Sequence, residues 1–227
     1  MKLFSLDSPL YKFMQRLWDI VKLNFMWLVF SLPIVTIGCS TIAAFTVALR
    51  MTEDTEGDIV RNFFDAYKAN LKQGIAMSFI NLICFGAVYA DFRIYDSLSE
   101  NSLPFLIVGV LTAYLMLFSF IYVYPLLARY ENTVFNSLRN SFRLAMKYFL
   151  RTFGLLLIVI FEFAVIFWNE KTLFVGLLIG PASVIYTISG PAMYIFRETE
   201  KVPGSIAEPD NNSEDKSNSG DQDPRKD

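Results

Sequence analysis

The sequence predicts an all-α protein, a polytopic transmembrane helical bundle. Hydrophobic residues make up 54% of its 227 residues, and the mean hydropathy of +0.39 exceeds that of ordinary soluble domains. Charged segments separate five apolar stretches, most of them near the ~20 residues that a helix needs to cross a bilayer. The stretches cover residues 20–49, 74–92, 103–127, 149–168 and 172–196.

The first stretch contains Pro33 and Gly38, which predict a break in its middle. It is either one kinked span or a re-entrant hairpin, and the last four stretches are full spans. A kinked span places 11 Lys and Arg residues on the cytoplasmic side of the membrane and 5 on the outer side. A hairpin moves Lys2, Lys12 and Arg16 inside and changes the count to 14 against 2, so the positive-inside rule favours the hairpin.

Either topology places the loops 50–73 and 128–151, and the carboxyl terminus, in the cytoplasm. Both loops show apolar residues at helical spacing, which predicts two amphipathic helices lying flat in the membrane interface. In the second loop a basic stripe recurs every four residues, and it suits an anionic leaflet or an acidic partner. The stripe consists of Arg139, Arg143, Lys147 and Arg151.

A faint repeat relates the two loops, because Tyr67-Lys68 and Lys72 align with Phe142-Arg143 and Lys147 at an offset of 75 residues. Duplicated halves occur in transporters, but amphipathic helices also converge on such patterns.

The fourth and fifth stretches are joined by a tight turn at 169–172, which predicts an antiparallel hairpin. The fifth stretch contains two glycine-proline pairs, which predict a broken helix. Gly176 and Gly180 also form a GxxxG motif, which is typical of helix packing. The pairs are Gly180-Pro181 and Gly190-Pro191.

Three polar residues inside the apolar stretches are candidates for an intramembrane site. Glu162 is the foremost, since a carboxylate within a span is costly and is a functional candidate by default. It could serve a cation, a proton or a polar substrate, or it could hydrogen-bond to another helix. Asn81 and Asn24 could likewise bind a ligand or satisfy a partner helix.

The sequence predicts no enzyme and no catalytic, cofactor-binding or metal site. Histidine is absent, which excludes Ser-His-Asp and Cys-His nucleophiles and His-ligated zinc. No phosphate-binding loop, dinucleotide fingerprint or metalloprotease motif occurs. The net charge of −2 gives no reason to expect nucleic acid as a partner.

Two regions follow from composition: a membrane domain at 1–200 and a polar tail at 201–227. The tail is rich in Ser, Asn, Asp and Pro and almost lacks hydrophobic side chains, so we expect disorder there.

Several blocks resemble the YesL family of bacterial membrane proteins of unknown function. They are Asn24-Phe-Met-Trp27 through Gly38 and on to Ala43-Ala44, Phe64-Asp-Ala-Tyr-Lys68 with Asn70-Leu-Lys-Gln73, and Tyr124-Pro-Leu-Leu-Ala-Arg129 with Leu138-Arg-Asn-Ser141. Cys39 departs from the proline expected after Gly38. The resemblance implies a multi-pass protein of the cell membrane, encoded beside carbohydrate transporters and glycan-degrading enzymes.

These observations lead to three functional hypotheses. The first is an accessory or regulatory protein of carbohydrate or oligosaccharide uptake, which contacts the lipid bilayer and ABC-transporter or sensor subunits. The second is a small secondary transporter that uses Glu162 and the broken last helix. The third is a membrane enzyme acting on a glycan or lipid.

Overall fold

The computed structural model describes residues 9–97, 103–130 and 132–201, and every regular element within these ranges is helical, as the sequence predicts. Five stretches are long and apolar enough to cross a membrane: 34–51, 71–97, 103–129, 149–166 and 170–200. The predicted tail, apart from Lys201, lies outside the described residues. The helices are α1 Pro9–Ser31, α2 Ile37–Met51, α3 Ile59–Ala69, α4 Leu71–Ser97, α5 Leu103–Phe120, α6 Val123–Arg129, α7 Val134–Lys147, α8 Phe149–Ile166 and α9 Glu170–Glu200.

The first apolar segment is a helical hairpin, not a kinked helix. Helix α1 ends before Pro33, and a short 3-10 turn at Ile34–Thr36 leads into α2. The arms then pack against each other, and the Trp27 indole donates to the Thr41 hydroxyl at 3.1 Å. At the open end Arg16 of α1 pairs with Glu56, which follows α2, at 2.7 Å. Both ends of the hairpin therefore lie on the same side.

Gly38 is not part of the break that the sequence suggested. It lies in the first turn of α2, where α2 crosses α4. A Cβ atom on Gly38 would lie 2.2 Å from the carbonyl oxygen of Gly74, and a Cβ on Gly74 would lie 2.5 Å from Cα of Cys39. The two glycines let the helix backbones touch, which is the close approach that small residues provide in membranes.

Helix α3 packs its apolar stripe on the α1–α2 hairpin. The Asp58 side chain caps it by accepting from the Val60 and Arg61 amides. Phe63 is fully buried, and the Phe30 ring of α1 packs against Phe63 at a centroid distance of 5.7 Å. The apolar stripe of α3 thus contributes to the protein core, because the hairpin offers it an apolar surface.

The third apolar stretch contains a break that the sequence analysis missed. Helix α5 ends at Phe120 and α6 starts at Val123. The signal is Pro125, which has no amide hydrogen for the Ile121 carbonyl and whose ring would clash with it in a continuous helix. The turn is anchored by the buried Tyr122, whose hydroxyl lies 3.1 Å from that of Thr152.

Helices α8 and α9 form the predicted antiparallel hairpin, but the prediction of a broken last helix is wrong. Asn169 caps α9 with a reciprocal capping box to Thr172. The helix then continues for 31 residues through Pro181 and Pro191. At Pro181 a side chain from α1, Asn24, bonds the backbone groups that the proline disturbs, so the helix tolerates the residue.

A layer of ion pairs joins the helices at one end of the bundle. It brings together the start of α1, the loop after α2, the end of α6, the start of α8 and the end of α9. The loops at 50–58 and 128–130 therefore share one side with the end of α9. Besides the Arg16–Glu56 pair, it contains Arg197–Glu53 at 2.6 Å, Arg129–Glu200 at 3.0 Å and Arg151–Glu198 at 2.8 Å.

Candidate functional site

The foremost candidate site is centred on Glu162 of α8, which faces α9. One carboxylate oxygen accepts a hydrogen bond from the Ser183 hydroxyl. The same hydroxyl lies 2.9 Å from the Gly180 carbonyl oxygen of its own helix. An ionised Glu162 can accept a hydrogen bond from the Ser183 hydroxyl. A protonated Glu162 can instead donate a hydrogen bond to the Ser183 oxygen, while the Ser183 hydroxyl donates to the Gly180 carbonyl oxygen. The arrangement therefore accommodates both protonation states.

The second carboxylate oxygen of Glu162, Oε2, is buried and has no hydrogen-bond partner within the described part of the chain. The residue Glu162 lines a groove of about 630 Å³ between α8 and α9. Most of the lining is apolar, and the other polar side chains are Lys171, Thr172, Ser183 and Thr187. A buried polar atom without a partner costs about 1–3 kcal/mol, so this oxygen marks a place where a donor from outside the chain would be stabilised.

A second groove, of about 770 Å³, lies on the other side of Ile166 and is almost entirely apolar. Ile166, Gly176 and Gly180 line both grooves. A Cβ on Gly176 would lie 2.5 Å from the Cγ2 atom of Ile166, and one on Gly180 would lie 2.9 Å from its Cδ1 atom. The glycine pair predicted for packing thus holds Ile166, which separates the grooves.

Asn24 connects α1 to α9. Its side-chain amide donates to the Leu177 carbonyl at 2.9 Å, and its carbonyl oxygen accepts from the Ala182 amide at 3.1 Å. Leu177 lies four residues before Pro181, so its carbonyl is the group that proline leaves without a donor. Asn24 is 1% exposed, and its side chain is occupied by these backbone contacts.

Asn81 of α4 donates to the hydroxyl of Tyr124 in α6. The Tyr124 ring also stacks on Phe45 of α2, with ring centroids 6.2 Å apart. Asn81 therefore links helices, and it lies in a different part of the bundle from Glu162. The structure does not bring the three predicted intramembrane residues into one site.

At Pro191 the helix continues, and Gly190 has open space where a Cβ would lie. Neither residue lines either of the two grooves described above. Of the predicted break residues, Pro33 alone marks an interruption of the backbone.

The predicted basic stripe divides into two parts. Arg139, Arg143 and Lys147 lie on the exposed face of α7, and none of them has a carboxylate partner among the described residues. Arg151 instead belongs to α8, pairs with Glu198 and lies over the Tyr194 ring at 4.7 Å.

Next to Arg129, Tyr130 belongs to the ion-pair layer and donates to Glu200 at 2.6 Å. Burial raises the pKa of the Tyr130 hydroxyl, and the hydrogen bond to Glu200 raises it further, so the tyrosine remains protonated and a donor. Glu198 and Glu200 place negative charge at the carboxyl end of α9, where the helix dipole disfavours it. Their ion pairs with Arg151 and Arg129 offset that unfavourable interaction.

Sequence analysis missed the residues that complete the Glu162 groove. Ser183 and Thr187 carry hydroxyls one turn apart within an apolar stretch, which is a signal for a polar stripe on α9. Their apposition to Glu162 depends on the register of α8 against α9, which the Ile166 contact with the two glycines sets.

A family model described as "Protein of unknown function, DUF624" matches residues 20–92, about a third of the chain. The matched range contains α2 and α3 and most of α1 and α4. Of the blocks that resemble the YesL family, those at 24–44 and 64–73 lie inside this range, and those at 124–141 lie outside it. No curated protein and no solved structure matches the chain.

Proposed function

We propose that this integral membrane protein is a YesL-like accessory or regulatory component of carbohydrate uptake in the cell membrane, and not an enzyme. Its ion-pair layer and the end of α9 face the cytoplasm in this proposal, in line with the positive-inside count. The observation that supports it is the distribution of polar groups. Asn24 and Asn81 hold helices together, whereas charges without partners lie on the surface.

Helix α3 offers the surface for a protein partner. Its apolar stripe is buried on the hairpin, so only its polar face is accessible. That face carries Arg61 and Lys68, with a single acid, Asp65, 3.9 Å from Arg61, and the exposed Lys72 follows in the first turn of α4. A rigid basic face without an exposed apolar stripe favours electrostatic contact with an acidic loop of a transporter or sensor subunit.

Uptake of a labelled oligosaccharide in cells that lack the gene, complemented with variants, tests the proposal. The triple variant R61E/K68E/K72E should fail to restore uptake, although the protein accumulates normally. The matched control is Arg93→Glu, an exposed arginine near the end of α4, which should restore uptake fully. Full uptake with the triple variant, or equal loss with Arg93→Glu, would argue against the α3 contact.

The second candidate function is a small transporter, and the partnerless Oε2 atom of Glu162 favours it. A substrate hydroxyl or ammonium group in the groove would supply the missing donor. Glu162→Gln keeps the side-chain length and can still bond Ser183, but it removes the charge. In the same complementation assay this variant restores uptake if the protein is accessory and abolishes it if the groove carries the substrate.

A further inference from the structure

Helix α7 exposes two adjoining surfaces of different chemistry. The first, called here the apolar flank, consists of Phe135, Phe142 and Met146, and Phe135 is 76% exposed. The second, the basic flank, consists of Arg139, Arg143 and Lys147. The remaining face packs into the bundle through Ser141, Leu144 and Ala145. Each flank runs the length of the helix because its members recur at helical spacing.

This arrangement differs from that of α3, although the two sequences follow the same pattern. Helix α3 buries its apolar stripe against the α1–α2 hairpin, and Phe63 is inaccessible there. In α7 the apolar flank remains exposed in the described chain. It continues instead into α8, where Leu150 is 87% exposed and Phe153 is also exposed. Helix α8 is a membrane span, so the apolar flank is continuous with a lipid-facing surface.

The basic flank has no carboxylate partner within the described chain, so its charges are available to anionic groups from outside. Arg139 and Arg143 have no ion-pair partner there, and Lys147 lies over the Tyr148 ring at 5.3 Å. Lipid phosphates lie a few ångströms above the acyl chains, so a helix with a basic flank beside an apolar flank suits the lipid–water interface. Protein partners with acidic loops would suit the charges but would leave the exposed phenylalanines without an apolar environment.

We infer that α7 is an interfacial helix whose basic flank binds the phosphate groups of anionic phospholipids while its apolar flank lies among their acyl chains. A basic side chain near an anionic leaflet contributes about 1 kcal/mol, which corresponds to about fivefold in affinity. The helix thereby forms an anionic-lipid site, independent of the protein contact proposed for α3.

The experiment measures selectivity for phosphatidylglycerol over phosphatidylcholine with spin-labelled lipids, using the full chain reconstituted in vesicles of the two lipids. The variant R139Q/R143Q/K147Q should lower the selectivity about fivefold or more. The matched control R61Q/K68Q/K72Q removes the same charge from α3 and the first turn of α4 and should leave selectivity within twofold of the unmodified chain. High salt should reduce the selectivity of the unmodified chain, since charge interactions at a surface are screened.

A second measurement locates α7 without altering its charges. A spin label at Met146→Cys, in a Cys84→Ser background, should be more accessible to oxygen than to a water-soluble nickel reagent, as expected at acyl-chain depth. Asn140→Cys, on the polar side of the same helix, should show the reverse. Unchanged selectivity in the α7 variant, equal losses in both triple variants, or a water-exposed Met146 label would overturn the inference and leave an acidic protein as the partner of α7.

Discussion

Asn24 stabilises the proline-containing segment of α9, and replacing it tests why that helix is unbroken. In Asn24→Leu the side-chain volume is similar, but the Leu177 carbonyl and the Ala182 amide both lose their partner. Hydrogen bonds between membrane helices contribute about 0.6–2 kcal/mol each. Two lost bonds at a site that is 1% exposed therefore predict a decrease of about 2 kcal/mol in the free energy of unfolding.

The second half of this prediction is a double-mutant cycle with Pro181→Ala. Alanine restores an amide hydrogen for the Leu177 carbonyl, so Asn24 is no longer its only donor. Asn24→Leu should then cost about 1 kcal/mol less in the Pro181→Ala background than in the unmodified chain. Phe25→Leu, at an exposed position next to Asn24, is the control and should change stability by less than about 0.5 kcal/mol.

Reversible unfolding in mixed micelles with increasing sodium dodecyl sulfate, followed by circular dichroism, gives the required free energies. The reasoning is refuted if Asn24→Leu costs the same with and without Pro181. It is also refuted if the single substitution changes stability no more than Phe25→Leu does.

Two further predictions concern glycines at helix contacts and use the same unfolding measurement. Gly74→Ala should lower the free energy of unfolding by about 1–3 kcal/mol, because the added methyl group would meet the backbone of α2. Gly86→Ala is the control, because Gly86 has open space in the same helix, and it should be neutral or stabilising. Equal effects of the two substitutions would contradict this prediction. Gly176→Ala should also lower the free energy of unfolding, because its Cβ meets the Ile166 side chain. A second substitution, Ile166→Ala, should recover part of that loss. No recovery would show that this contact does not hold α8 against α9.

The sequence sufficed for the helical class and for the α8–α9 hairpin, since long apolar runs and the Asn169 turn are local signals. The charge count also favoured the α1–α2 hairpin that the structure contains. Pro125 was a local signal for the α5–α6 break, but a long apolar run concealed it.

The remaining differences depend on contacts distant in sequence. Pro181 predicted a broken helix, and the side chain that bonds the Leu177 carbonyl and supports the helix comes from 153 residues before Leu177, in α1. Likewise α3 and α7 have similar amphipathic patterns and begin 75 residues apart, yet only α3 meets an apolar surface that buries its stripe. Glu162 was recognisable as a candidate, whereas its contact with Ser183 follows from helix register.

The measurement that most directly tests the accessory role is uptake of labelled mono- and oligosaccharides by liposomes that contain only this protein. The account predicts no saturable uptake of any sugar, and no difference between the unmodified chain and Glu162→Gln. Saturable uptake that Glu162→Gln abolishes would contradict it and would identify the groove between α8 and α9 as a substrate site.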